Sequence, residues 1–342
     1  MSQFDHRPST DRSDGRNPGK NQFKSKQSKS KQSKSKPPQR NHRARKRFGQ
    51  HWLKDDGVLN AIISAGELTG NDCVLEIGPG QGALTQRLFE AGAKVLAIEI
   101  DRDLCLELSD RFLPFMGSGQ FRLIESDFLK INFDQALTDL ELARPNKVIA
   151  NIPYYITAPI LEKLLGTVKT PNPHPYDSIV LLVQKEISDR LCALPGTKAN
   201  GALTIRAQYL ADCEEICVVP PSAFKPPPKV ESAVIRLRPR PFPTPAKDPA
   251  KLAQLIKLGF AQKRKMLRNN LQSVVNRDQL TSILETLLIN PQIRAEGLGV
   301  KDWVALSDAV GDAVGDAVSN AESNTNGNAH STATTHVQPF NS

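Results

Sequence analysis

Glu76-Ile-Gly78-Pro-Gly80-Gln-Gly82 separates two stretches of opposite periodicity. Before it, Cys73–Ile77 is a short apolar run of the kind that forms a buried strand. After it, Ala83–Ala91 carries apolar residues at helical spacing. Glycines between a strand and a helix allow a sharp turn and let a ligand come close to the backbone. No Gly-Lys-Ser/Thr follows, so the turn is not a P-loop, and the third glycine comes one position too early for a dinucleotide fingerprint. A purely structural tight turn would use the same residues.

Working outward, strand-like and helix-like stretches alternate. Lys94–Ile100 reads as a second strand and Asp103–Phe112 as a helix, while Phe121–Glu125, Lys147–Ala150 and Ser178–Gln184 read as further strands. Ser232–Leu237 alternates in the manner of an antiparallel strand. This rhythm predicts an α/β fold, a mostly parallel sheet with helices on both faces. Ligands of such sheets sit beyond the carboxyl ends of the strands, here just after Ile77, Ile98, Ile124 and Ala150. A proline-rich linker, Pro239–Pro249, is followed by helical spacing at Leu252, Leu255, Ile256 and Gly259, and at Leu280, Ile283, Leu284, Leu287 and Leu288. That predicts a small C-terminal α-helical domain over 248–312, after a main domain over 43–240.

The flanks differ in composition. Residues 1–47 hold 15 Lys/Arg against 3 Asp/Glu, whereas the whole chain of 342 residues has a formal net charge of +9. The positive charge is therefore a basic arm, and any nucleic-acid surface on the body must be a local patch. Residues 1–42, with a Lys-Ser-Lys-Gln-Ser repeat, and 313–342, rich in Asn, Ser, Thr and Ala, are expected to be disordered. The arm could tether RNA phosphates or simply keep the chain soluble. Apolar runs such as Ile179–Val183 fall far short of the ~20 residues that cross a bilayer, so no membrane role is expected. Cys73, Cys105, Cys192, Cys213 and Cys217 have no metal-type pairing and suggest reduced thiols in a cytoplasmic protein without a metal.

The acidic-x-Gly-x-Gly-x-Gly spacing resembles the first motif of the Rossmann-like methyltransferases, which hold S-adenosyl-L-methionine. At the next strand end Glu99 could accept from both ribose hydroxyls, although a helix cap would also use an acid there, a role open to Asp101 or Asp103. Asp127, at the third strand end, could accept from an adenine amino group or cap a turn. Asn151-Ile152-Pro153-Tyr154, after the fourth strand, resembles the Asn-Pro-Pro-Tyr-type motif of amino-directed methyltransferases. An adenine N6 is a poor nucleophile because its lone pair is delocalised into the ring. The Asn151 side-chain oxygen and the Ile152 carbonyl could accept its two hydrogens and localise that lone pair, so that positioning and electrostatics accelerate direct transfer. Tyr154 could stack on the extruded base. An ordinary turn between strand and loop would also use Asn and Pro.

Lys46-Arg-Phe-Gly-Gln-His-Trp-Leu53, Glu76-Ile-Gly-Pro-Gly80, Asn151-Ile-Pro-Tyr154, Gln184-Lys-Glu186, Pro220-Pro-Ser-Ala-Phe-Lys-Pro-Pro-Pro-Lys-Val230 and Gln262-Lys-Arg-Lys265 follow in order. Together they resemble the small-subunit ribosomal RNA adenine N6,N6-dimethyltransferase family over about 43–310. The resemblance implies a Rossmann-like class I methyltransferase that dimethylates two adjacent adenosines near the 3′ end of 16S rRNA in the assembling small ribosomal subunit. It implies cofactor contacts at His51, Leu53, Gly78, Glu99, Asp127 and Asn151, and base contacts at Asn151, Ile152 and Tyr154, with Phe224 as a second stacking face. His51 and Tyr155 stand where the family commonly has Asn, and Ile152 where it commonly has Leu. Lys263, Arg264, Lys265 and Arg268, within two predicted helical turns, could grip RNA phosphates or form a solvated helix face. A monomer is expected. A catalytically silent ribosome-assembly factor and an enzyme acting on large-subunit RNA are the competing readings.

Overall fold

The computed structural model describes residues 50–327, with side chains through residue 313. The basic arm, the Lys46–Gly49 part of the first motif and residues 328–342 lie outside the described residues. The chain enters through β1 (Trp52–Leu53) and α1 (Asp56–Gly66), then β2 (Cys73–Ile77), α2 (Ala83–Glu90), β3 (Lys94–Glu99), α3 (Arg102–Arg111), α4 (Leu113–Gly117) and β4 (Phe121–Glu125). It continues through α5 (Phe133–Asp139), β5 (Lys147–Asn151), α6 (Thr157–Leu165), β6 (Ser178–Gln184), α7 (Lys185–Leu191), α8 (Ala202–Leu210), β7 (Ala211–Val219), β8 (Phe224–Lys225) and β9 (Ser232–Pro239). Four helices close it: α9 (Pro249–Gly259), α10 (Leu267–Asn270), α11 (Arg277–Thr286) and α12 (Val300–Gly327).

Seven strands form one sheet in the order β4-β3-β2-β5-β6-β9-β7. The first five are parallel, and β9 runs antiparallel to both β6 and β7. Chain order reverses between β2 and β5, which opens a crevice at their carboxyl ends. Gly78 follows one of these strands and Asn151 ends the other.

Alternate residues of each parallel strand face opposite layers, as the pleat requires. Val74, Val95, Ala97, Ile149 and Val180 pack with Leu59 and Ile62 of α1, Leu84 and Leu88 of α2 and Leu108 of α3. Leu75, Ile77, Leu96, Ile98, Val148 and Ile179 pack on the other side with Ile160 and Leu164 of α6. That second core runs on without a break through Leu252 and Ile256 of α9, Leu280 and Leu284 of α11 and Trp303 of α12. Trp303 is fully buried, and a Cβ added at Gly259 would stand 2.3 Å from its ring. Truncating such a side chain to Ala costs about 3–5 kcal/mol.

The parallel strands fall where the apolar runs predict them, within a residue at each end. Ser232–Leu237, expected to alternate, is instead buried on both faces from Ser232 to Ile235, because β6 and β7 flank β9 and helices cover it. Leu288 does not continue α11: it takes a left-handed conformation (φ 58°) and is 95% exposed. The closing helix runs to Gly327, past the boundary that composition places at 312.

Candidate active site

A cavity of about 670 Å³ opens at the carboxyl ends of β2, β3, β4 and β5. That volume suits a small-molecule ligand. The residues at all four strand ends singled out from the sequence line it: Gly78, Glu99, Asp127 and Asn151, together with His51, Leu53, Ile152 and Tyr154.

The β2 end is shaped by backbone. Gly78, Gly80 and Gly82 have φ of 68°, 59° and 76°, a region that side chains disfavour. The Gly78 N–H donates to the Ile98 carbonyl at 2.9 Å, tying the turn to β3. Glu99, 5% exposed, accepts from the Gly80 N–H through Oε2 (3.2 Å) and from Ile100 and Asp101 N–H through Oε1 (2.9 Å each). These bonds leave Oε2 acceptor capacity toward a ligand, since a carboxylate offers about four lone-pair sites. Burial raises the Glu99 pKa, against the lowering effect of the three N–H donors. The helix-capping role is taken by Asp101, whose carboxylate accepts from the Asp103 N–H. Glu76 also lines the cavity; it accepts from Thr85 Oγ1 at 2.7 Å, and burial pushes its carboxyl up to about 8. Its place in the acidic-x-Gly motif was the signal for it.

Asp127 lines the cavity and also caps a turn. Its Oδ1 accepts from the Leu129 N–H at 3.0 Å, and Oδ2 stands 3.7 Å from Lys130 Nζ. The capping reading of Asp127 therefore holds, and the residue also lines the cavity.

The β5 end is held from far along the chain. Asn151 Nδ2 donates to the His51 carbonyl at 3.2 Å, which leaves Oδ1 as the acceptor of this side chain. Tyr154 opens a 3-10 turn (Tyr154–Ile156), and its hydroxyl shares a 2.6 Å hydrogen bond with Ser232 Oγ. Burial raises the phenol's pKa. The His51 ring lies nearly parallel to Tyr154, 14° between planes and 6.0 Å between centroids. His51 Nδ1 is 2.8 Å from the Pro226 carbonyl, and since a carbonyl only accepts, Nδ1 carries the proton.

The strap 51–54 is clasped by the proline-rich segment. β1 pairs antiparallel with β8, Trp52 opposite Lys225 and Leu53 opposite Phe224, and the Lys54 N–H donates to the Ala223 carbonyl at 2.9 Å. This pairing corrects the reading of Phe224 as a stacking face. Its ring is 4% exposed, is buried in the core on the α1 side with Leu53 and Ala223, and does not line the cavity. Sequence reasoning also missed Trp52 and Arg111 in the wall, where Tyr155, one of the departures from the family pattern, stands as well. A Cβ at Gly80 would come within 3.3 Å of the Trp52 ring, Arg111 donates to the Gln81 carbonyl at 2.7 Å, and Tyr155 stands 63% exposed at the rim.

The basic cluster lies elsewhere. Lys263, Arg264 and Lys265 are exposed on the turn between α9 and α10, not on a helix as their spacing suggested. Asn270 explains the difference: its Nδ2 donates to the carbonyls of Gly259 (2.6 Å) and Gln262 (3.2 Å), pinning the turn where α9 ends. Arg268 is half-buried on α10. None of the four lines the cavity or forms an ion pair with a described residue. All five cysteines are free, and no helix among the described residues is long and apolar enough to cross a membrane.

The sequence profile of the ribosomal RNA adenine dimethylase family matches residues 41–311. The chain is 55% identical to ribosomal RNA small subunit methyltransferase A of Trichormus variabilis over 271 residues, 79% of this chain and 98% of that protein. It is 56% identical to the protein of the same name from Picosynechococcus sp. over 267 residues, 78% and 97% of the two chains. Among solved structures it is similar to a dimethyladenosine transferase from Plasmodium falciparum (TM-score 0.63, 28% identity, covering 75% of this chain and 96% of that one). The fold is shared with the 23S rRNA methyltransferase ErmE (TM-score 0.59, 24% identity, 76% and 99% covered). On these matches, and with a glycine turn and an Asn-Ile-Pro-Tyr segment facing one cavity, the chain belongs to the ribosomal RNA adenine dimethylase family.

Proposed function

We infer that this protein uses S-adenosyl-L-methionine to dimethylate N6 of two adjacent adenosines near the 3′ end of 16S rRNA, acting as a monomer on the assembling small ribosomal subunit. The observation that carries the reading is the Asn151 amide, anchored through its nitrogen to the His51 carbonyl on the wall that also holds the glycine turn. The residues present fit the cofactor. The positive-φ turn brings backbone to the cavity, Glu99 retains acceptor capacity there, and Asp127 sits at the neighbouring strand end. Leu53 and the His51 backbone would close the wall over it, with Gly78 beneath.

When bound, the cofactor supplies an electrophilic methyl group on a sulfonium. The protein's own contribution is to hold the amine. Asn151 Oδ1 and the Ile152 carbonyl would accept the two N6 hydrogens, withdrawing the nitrogen lone pair from the ring and aiming it. Tyr154, braced by Ser232, would stack on the extruded base and fix its plane. Fixed orientation of both reactants lowers the entropic part of the barrier. Lys263, Arg264, Lys265 and Arg268 would take RNA phosphates, which makes the helices after 248 the RNA-contacting end.

The test is mass spectrometry of nucleosides from small-subunit precursor particles incubated with purified protein and S-adenosyl-L-methionine. The expected product is N6,N6-dimethyladenosine at two neighbouring positions of 16S rRNA. Cofactor binding without any methylated adenosine would leave an assembly factor, and product in large-subunit RNA alone would move the substrate.

A further inference from the structure

We propose that Lys163 is a positioning residue that holds the Asp127 wall of the cavity against the helix following the Asn151–Tyr154 segment. The proposal rests on the reading of that wall as part of the cofactor site. α6 starts at Thr157, directly after the Tyr154–Ile156 turn, and Lys163 reaches from it to the segment beyond β4. Its Nζ donates to the carbonyls of Phe128 (2.6 Å) and Ile131 (2.7 Å) and stands 5.0 Å from the centroid of the Phe128 ring. That segment contributes Ser126, Asp127, Phe128 and Leu129 to the cavity.

The segment has bonds of its own. The Asp127 carbonyl accepts from the Lys130 and Ile131 N–H, both at 3.0 Å, and Asp127 Oδ1 accepts from the Leu129 N–H. These bonds curl the turn on itself, but each begins and ends inside it. Lys163 instead joins the turn to α6, with two charge-assisted hydrogen bonds and a cation over an aromatic face. It is half-buried, and burial lowers its pKa against the opposing charges of Asp127 and Asp134. A cation withdrawn from water is retained where it satisfies fixed acceptors. The two carbonyls, with the ring beside them, are those acceptors. One side chain thereby links the end of β4 to the helix that carries the target segment, so the two halves of the cavity share a brace.

The test uses the full-length protein with Lys163→Met, Lys163→Gln and Lys163→Arg, and titrates S-adenosylhomocysteine by calorimetry alongside thermal unfolding with and without that ligand. Lys163→Met is expected to weaken binding by about tenfold or more, Lys163→Gln by less, and Lys163→Arg to restore most of it. Turnover at saturating cofactor is expected to stay close to that of the wild type, since the residue touches neither reactant. Unchanged ligand affinity in a folded Met or Gln variant would overturn the proposal, as would a loss confined to RNA affinity. If Lys163→Met does not fold, the Gln variant decides on the same criterion. Wild-type protein that binds S-adenosylhomocysteine but methylates no adenosine would sink the substrate reading and leave this inference standing.

Discussion

At the glycine turn the chain reaches a short way to complete its contacts: Gly80 donates to Glu99, 19 residues on, and Glu99 is otherwise held by its own neighbours. At the target segment the reach is long. Asn151 is bonded to His51 across 100 residues, His51 to Pro226 across 175, and Tyr154 to Ser232 across 78. The first half is fixed by the register of adjacent parallel strands, β2 and β3. The second requires the strap, the proline-rich segment and β9 to be in place together. The Gly80–Glu99 corner thus rests on neighbouring strands, while the target segment rests on contacts from distant parts of the chain.

The contrast can be broken by removing one group from each half. The largest effect is expected for Asn151→Ala, with turnover falling on the order of a hundredfold or more while cofactor affinity is largely kept. Calorimetry and single-turnover kinetics on precursor particles would separate the two quantities, and near-normal turnover would dismiss the role given to this amide. Glu99→Ala should do the reverse, weakening cofactor binding by about ten- to a hundredfold, with much of the rate recovered at saturating cofactor. A variant that binds normally would show that the β3 carboxylate only shapes the turn. Ser232→Ala sharpens the comparison, because it removes a long-range brace without touching either reactant. A rise of about two- to tenfold in the KM for RNA is expected, with cofactor affinity unmoved.

The smallest effect concerns stability. Glu76 is pushed up to about 8 by burial, with the Glu99 charge adding to it, against an ordinary carboxyl value of 4.5. The folded state therefore holds a proton that the unfolded chain releases, so this residue makes stability fall as pH rises from about 4.5 to about 8. Glu76→Gln should flatten that slope, and its melting temperature should drop by a few degrees less than the wild type's between about pH 5 and about pH 9. Parallel melting curves for the two proteins would show that the carboxyl is not buried in its neutral form.

Much of this was legible in the sequence because parallel strands buried on both faces are written as uninterrupted apolar runs. Ser178–Gln184, central in the sheet, needed nothing beyond that pattern, whereas Phe121–Glu125, on its edge, carries Arg122 and Glu125 and is only partly buried. Residues at strand ends followed, since the fold itself places them at one crevice. What could not be read was pairing between distant segments. Phe224 carries an aromatic suited to stacking, but its ladder partner is Leu53, and that register turns the ring into the core. The α8–β7 junction gave no warning either: Leu210 ends a helix and Ala211 begins a strand with no Gly or Pro between them. The basic run at 263–265 has helical spacing, and only the Asn270 amide, contacting Gly259 and Gln262, shows why it is a turn.

The unbroken packing from the sheet through α9 to Trp303 has a consequence for how a target would be chosen. The helices share one core with the sheet, so the turn that carries Lys263, Arg264 and Lys265 is anchored to the same packed body as Asn151. A phosphate gripped there would deliver to the cavity whichever nucleotide lies at the matching span, and selection would work as a gauge of folded length instead of a reader of base letters.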